Sequence, residues 1–214
     1  EGRQEEDVVM RRPRSLPAPA LLLIQLAVSS SCGPGPYDRA LSTWTRSAKV
    51  YRDLESRITV SATYLSPGFV EAMTAERVRV FAPTAAALAA WQKERSDEAA
   101  QSEVFFVSVE TRDRDWNDLD QADSIWRIYL ETDRGVKVPP ARVVAVRGQP
   151  PVLSHFFPHL GHFAIGYWVY FPRYPEYRDG GGLPRPVVDT SLSWFKLRIR
   201  SPVAAVELTW KPGD

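Results

Sequence analysis

Six oxygen- and nitrogen-bearing side chains in two short stretches of this 214-residue chain have types and spacings that suit metal binding. In the first stretch, Asp113, Asp115 and Asn117 place an oxygen at every second position, as the opening of a calcium-binding loop does. Asp118 then stands where the sharp turn of that loop requires glycine, and Ser124 stands where it requires a bidentate glutamate. The stretch is therefore interpreted either as a partial calcium site or as a solvated hairpin loop, since Asp and Asn favour turns.

The second stretch contains every histidine of the chain, His155, His159 and His162. Three neutral imidazoles and a water molecule make the usual open zinc site of a hydrolase. Pro158 and Gly161 interrupt any helix that would place these rings on one face, so the alternative is a set of partly buried rings in a phenylalanine-rich loop. If successive strands alternate in direction, this loop and the acidic one emerge at the same end of the fold and form a composite site.

Other catalytic chemistry has little support in the sequence. No serine lies in a nucleophile elbow, and no pair of carboxylates stands out beyond the acidic stretch. We therefore predict no organic cofactor. A binding or structural module is favoured over an enzyme, and a metal-dependent hydrolase that uses the loops 113–123 and 155–162 is the alternative.

The residues from Met10 to Cys32 carry a separate signal. Basic residues are followed by an apolar run over 20–28 and by three serines ahead of Cys32, the single cysteine of the chain. This arrangement resembles the signal peptides of bacterial lipoproteins. The resemblance implies cleavage before Cys32, a diacylglycerol on its sulfur and a fatty acyl group such as palmitate on its amino group. Because Gly33 and not aspartate follows, the resemblance also implies transfer to the outer membrane, facing the periplasm.

Parts of this signal have a second interpretation. Ser29 stands where lipoprotein signals usually have leucine, so ordinary secretory cleavage after Ser29 or Ser31 stays open. A lone cysteine is often a buried small apolar residue. Residues 1–9 place acidic side chains ahead of the basic segment, and we interpret them as translation from a start codon upstream of Met10. The apolar run is far shorter than the ~20 residues of a membrane-spanning helix.

The rest of the chain is predicted as one domain behind a tether. The formal net charge is +1, and removal of residues 1–32 takes away four basic and four acidic residues. The domain is therefore near neutral and lacks the basic footprint of a nucleic-acid-binding protein. The predicted parts are a signal peptide at 10–31, a lipidated tether at 32–42 and a single domain at 43–214 with a helical insertion at 67–100.

Two patterns predict helices. Apolar residues at three- and four-residue steps predict an N-terminal helix over 39–54. Alternation of apolar and polar residues over 57–65 then predicts the first strand. Ser66 followed by Pro67 is a typical helix start, and this helix together with a second over 84–100 is predicted as a helical hairpin inserted after that strand.

Everything downstream is predicted as strands. The predicted strands are 104–110, 125–132, 136–146, 163–171, 194–200 and 204–210. Lys196, Arg198 and Arg200 alternate with apolar residues, and such a row is typical of the solvated side of an antiparallel sheet, although it also suits an anionic lipid or polymer. The predicted fold is mainly β, an immunoglobulin-like antiparallel β-sandwich of about seven strands with an N-terminal helix and the inserted helical hairpin.

These features predict a lipid-anchored protein of the bacterial cell envelope that acts as a non-catalytic binding or structural module. The alternative is a calcium- or zinc-binding protein. The predicted partners are the membrane, through lipid on Cys32, and an envelope protein or a cell-wall polymer, without nucleic acid.

Overall fold

The computed structural model describes residues 33–148, 150–175 and 185–213. In these residues the four α-helices are α1 (Pro36–Trp44), α2 (Pro67–Phe81), α3 (Ala85–Gln101) and α4 (Pro151–Phe156). The strands of the same residues are β1 (Thr45–Arg52), β2 (Glu55–Tyr64), β3 (Ser102–Thr111), β4 (Arg127–Thr132), β5 (Lys137–Val138), β6 (Arg142–Val146), β7 (Ile165–Pro172), β8 (Phe195–Arg200) and β9 (Ala205–Trp210).

The strands form two antiparallel sheets, so the fold is mainly β as predicted. Sheet A has the order β1-β2-β3-β7-β6, and sheet B has the order β5-β4-β8-β9. Both sheets contribute to one apolar core, which includes the fully buried Phe105 and Tyr167 of sheet A and Phe195 and Leu197 of sheet B. The predicted sandwich-like arrangement is therefore present, whereas its immunoglobulin-like form stays a prediction.

Strand β3 lies at the centre of sheet A and is buried on both faces. Because successive side chains of a strand point to opposite faces, Phe105 and Val107 enter the core between the sheets, and Val104 and Phe106 enter a second core. That second core lies on the outer face of sheet A and includes Phe69 of α2 with residues of α1 and α4. The helices therefore form a third layer on one side of the sandwich.

The predicted N-terminal helix over 39–54 is wrong beyond Trp44. Residues from Thr45 onward pair with β2 in antiparallel register, beginning with Thr45 opposite Thr63. Backbone pairing with a neighbouring strand outweighs the helical spacing of the apolar residues, and Leu54, which completes that spacing, is fully exposed. The strand predicted as the first is consequently β2, and the helical hairpin follows the second strand.

Two further boundaries differ from the prediction. The predicted strand over 136–146 is split at Pro139-Pro140 into β5 of sheet B and β6 of sheet A, because proline has no N–H to donate to a ladder. Within the range 32–42 that was predicted as a tether, the residues from Pro36 belong to α1, in which Tyr37 is buried. The described residues from Pro34 onward form one compact unit.

Candidate functional site

His155 joins two helices of the outer layer. It lies in α4, and its Nε2 is 2.9 Å from Oε1 of Glu76 in α2. The Arg79 guanidinium donates two hydrogen bonds to the same carboxylate and, with His155, holds the pKa of Glu76 below its ordinary value. The ring of Phe81 meets the His155 ring edge-on. The Nε2 of His155 is thus engaged by Glu76, and this contact links α4 to α2.

His159 lies against the outer face of sheet A with both ring nitrogens in use. Its Nδ1 is 2.7 Å from the Ser108 hydroxyl of β3, and its Nε2 is 2.9 Å from the Thr63 hydroxyl of β2. Burial lowers the pKa of His159 to about 4. The imidazole is therefore neutral at pH 7, and its hydrogen bonds fix the segment after α4 on the sheet. His162, in contrast, is exposed and its ring packs on that of Phe163.

The acidic stretch is organised by hydrogen bonds within the protein. The carboxylate of Asp113 accepts from the backbone N–H of Asp115 and begins a single 3-10 turn, Arg114–Trp116. Asn117 is buried; its side-chain amide donates to the carbonyl of Val109, and its Oδ1 accepts from the Tyr167 hydroxyl at 3.0 Å. The side chain of Asn117 thus closes one end of the core between the sheets.

The predicted composite metal site is not assembled. Strands β3 and β7 are antiparallel, with Val109 opposite Ile165, so both loops do leave the same end of sheet A. However, Tyr167 with its partner Asn117 belongs to the inner face of the sheet, whereas His159 lies on the outer face. In the described ranges, no group of three His, Cys, Asp or Glu side chains could hold a metal ion. All of the predicted ligands except Asn117 are of these four residue types. The two loops therefore have structural roles in this fold.

A groove between α2 and α3 is the strongest candidate for a functional surface. It has a volume of about 540 Å³, which lies within the range of roughly 300–1,000 Å³ typical of ligand sites. Its apolar lining includes Leu65, Val70, Ala75, Trp91 and Ala99. Polar side chains, among them Glu71, Gln92 and Arg95, also border it. We call this surface, defined by these eight residues, the α2–α3 groove.

Helix α3 is attached to the sheet by polar contacts more than by apolar burial. None of its 17 residues is buried. Instead, the Glu98 carboxylate accepts from the Tyr170 hydroxyl at 3.3 Å, and Arg173 donates to the carbonyl of Ala99 at 2.8 Å. An amphipathic helix of a globular domain normally buries about three residues in seven. Trp91 is only partly buried against the second core, so part of its ring remains accessible along the groove.

A buried acidic group lies beneath the groove. Glu103, at the start of β3, is only 4% exposed and accepts a hydrogen bond from the Tyr64 hydroxyl at 2.6 Å. Burial raises the pKa of Glu103. Its second oxygen is 3.8 Å from Nη1 of Arg173 and borders a cavity of about 20 Å³, room for about one water molecule. This cavity shares Leu65 and Arg95 with the groove above it.

One feature of the sequence is consistent with this groove. Trp91 is the single aromatic residue of an alanine-rich helix, and the guanidinium of Arg77 in α2 lies 5.3 Å from its ring centre. A helix whose only large apolar side chains are Leu88 and Trp91 cannot bury a full apolar stripe. The predicted lipid attachment site, Cys32, and the segments 1–9 and 10–31 lie outside the described residues.

Comparison with known protein families, with curated proteins and with solved structures found no match to this chain. None of the helices in the described part of the chain combines the length and apolar character that crossing a bilayer requires. Functional inference therefore depends on the surfaces of the molecule itself.

Proposed function

We propose that this protein is a lipid-anchored, non-catalytic binding module of the bacterial cell envelope. In this proposal, lipid on Cys32 holds the domain at the membrane, facing the periplasm, and the α2–α3 groove binds an envelope protein. The immunoglobulin-like form of the sandwich belongs to the same proposal. It is supported by two antiparallel sheets that share one core.

The observation that carries the binding role is the absence of buried residues along α3 beside an apolar groove. Two helices with a groove between them suit the apolar face of a third, amphipathic helix, which is a recurrent mode of peptide recognition. Glu71 on α2 places an exposed charge beside the groove, whereas the Arg95 side chain is only 11% exposed and already pairs with Glu94 and Glu98. The occupant we propose is therefore an amphipathic helix of a partner protein, with its apolar face on Trp91 and Val70.

The groove is tested by site-specific photo-crosslinking in intact cells. A crosslinking residue at Gln92 is expected to capture one partner protein through a helical segment. Ala75→Glu places a charge in the apolar lining, which should weaken binding about tenfold, corresponding to about 1.4 kcal/mol. Because Ala75 is exposed, this substitution should leave the thermal melt unchanged.

The matched control places the crosslinker at Gln121, an exposed residue of the acidic loop. The crosslinker at Gln121 should not capture the partner protein that the crosslinker at Gln92 captures. Equal capture from Gln121, or capture from Gln92 that is indifferent to Ala75→Glu, would refute the groove as the binding surface.

The anchor is tested separately by cell fractionation. Cys32→Ser removes the sulfur that would carry the lipid, so the protein should move from the membrane fraction to the soluble periplasmic fraction. Ser29→Leu is the matched control, because it brings the segment closer to the lipoprotein pattern and should leave the protein in the membrane. A Cys32→Ser protein that stays in the membrane fraction would contradict lipid anchoring without bearing on the groove.

A further inference from the structure

The outer face of sheet B carries an excess of positive charge. The inward side chains of its strands, such as Ile128, Leu197 and Val206, are buried in the core. Strand alternation and the register of the sheet place the charged side chains on the opposite face. The basic residues of this face are Arg127, Lys137, Lys196, Arg198 and Arg200, and its acidic residues are Glu131 and Glu207. Three positive charges are thus in excess, on a chain whose overall net charge is only +1.

The two carboxylates of this face are shared among several cations. Glu207 contacts Lys196 at 3.6 Å, Arg200 at 3.1 Å and also Arg198. Glu131 contacts Arg198 as well. Each carboxylate neutralises one charge, so these contacts position the cations along β8 without cancelling them. Arg200 remains 49% exposed and Lys196 24% exposed, whereas Arg198 lies between the two carboxylates and is only 14% exposed.

The register places two arginines directly opposite each other. Arg127 of β4 pairs with Arg200 of β8, and like charges at opposed positions of an antiparallel pair reduce stability. Arg127 donates to the backbone carbonyls of Ser124 and Trp126. An anion between the two guanidinium groups would relieve their repulsion and would accept their forked hydrogen bonds.

The spacing of the cations indicates the shape of that anion. Lys196, Arg198 and Arg200 are alternate residues of one strand, so they follow each other at about 6.7 Å in a straight row. A row of this kind suits a chain with regularly repeated charges. The strands of sheet B contribute none of the exposed large apolar side chains found among the described residues, which favours a soluble polymer over a bilayer as the occupant.

We propose that the outer face of sheet B binds a linear polyanion, a polymer with phosphate or carboxylate groups along its length, which lies along β8. Arg127 and Arg200 hold one anionic group between them, and Lys196 contacts a group further along the strand. This surface is on the side of the sandwich opposite the helices, so it is independent of the α2–α3 groove.

Inorganic polyphosphate is the probe, with affinity measured by titration calorimetry at several salt concentrations. The double variant Arg127→Gln and Arg200→Gln is expected to raise the Kd at least tenfold and to reduce the slope of log K against log salt by roughly one to two. The control double variant, Arg52→Gln and Lys93→Gln, removes the same charge from side chains that are 68% and 75% exposed elsewhere. It should change the Kd less than twofold.

Two results would overturn the proposal. One is an equal loss of affinity in the control, since binding would then depend on net charge alone. The other is the absence of polyphosphate binding together with Arg127- and Arg200-dependent binding to vesicles that contain anionic phosphatidylglycerol, which would assign the face to a membrane. Arg127→Gln alone, which leaves the contacts of Glu207 intact, provides a second variant if the double variant melts early.

Discussion

The free energy of unfolding is expected to fall by about 3 kcal/mol through His159 alone as the pH decreases from 7 to 4. In the folded protein the pKa of His159 is lowered to about 4 from its ordinary value of 6.5, because burial disfavours the imidazolium. Between these two values the unfolded chain binds a proton that the folded chain does not. Stability therefore rises with pH in this window and is lost as the pH falls through it.

Urea unfolding at half-unit steps from pH 4 to pH 7 measures this effect. His159→Gln removes the titrating ring while it keeps a side chain that can reach the hydroxyls of Ser108 and Thr63, so the pH dependence in this window should become flatter. His162→Gln is the control, because it makes the same chemical change at an exposed ring.

Two buried carboxylates affect the pH dependence of the free energy of unfolding in different ways. The pKa of Glu103 is raised by burial, so its contribution to stability decreases as the pH rises above the ordinary value of 4.5 and opposes that of His159. The pKa of Glu76 is lowered, so its contribution is lost only as the pH falls below 4.5. The difference between the unchanged protein and His159→Gln isolates the histidine, and equal slopes in the two would refute the assignment.

Strands were predicted correctly where one face of the strand is buried and its other face is exposed to solvent. The prediction of 194–200 and 204–210 differs by one residue from β8 and β9, because a two-residue alternation is visible in the sequence whenever one side of a sheet faces water. β3 was also found, from its continuous apolar run, although such a run does not show that both faces are covered. β1 was missed because its pairing with β2 is not encoded in its own spacing.

The functional surfaces were less accessible to sequence reasoning. The roles of His155 and His159 depend on Glu76 and Ser108, which are 79 and 51 residues away along the chain. Spacing within a loop suggests ligands for a metal, but it does not show which distant groups have already satisfied those side chains. The α2–α3 groove likewise depends on the polar contacts of Glu98 with Tyr170 and of Arg173 with Ala99, which only the folded chain brings together.

Gly166 of β7 is the other position where a single substitution should have a large effect. A Cβ atom at this residue would lie 2.9 Å from Cζ of Phe106 and 3.2 Å from Cδ1 of Leu160. Phe106 is fully buried, and its ring stacks on Phe157 at 4.1 Å between centres. The ring is therefore held on its other side and cannot move away, so Gly166→Ala should reduce the free energy of unfolding by about 1–3 kcal/mol.

Urea unfolding at pH 7 measures this change, with Gly68→Ala as the matched control. Gly68 lies in the first turn of α2, and nothing lies within 4 Å of the added methyl group. This substitution should stabilise the protein slightly, by up to about 1 kcal/mol, because alanine loses less conformational entropy than glycine in a helix. Gly166→Ala and Gly68→Ala are thus expected to change the free energy of unfolding in opposite directions. This difference separates the steric cost at Gly166 from the general effect of replacing glycine by alanine.

The steric account is tested further by combining Gly166→Ala with Phe106→Leu. The smaller leucine vacates the position of the ring edge, so the cost of Gly166→Ala should be smaller in the Phe106→Leu background than in the unchanged protein. Equal costs in both backgrounds would show that the methyl group does not act through Phe106. Because Phe106 also packs near His159, the close approach at Gly166 supports the burial that keeps the histidine neutral, and relief of that packing should move the pKa of His159 toward its ordinary value.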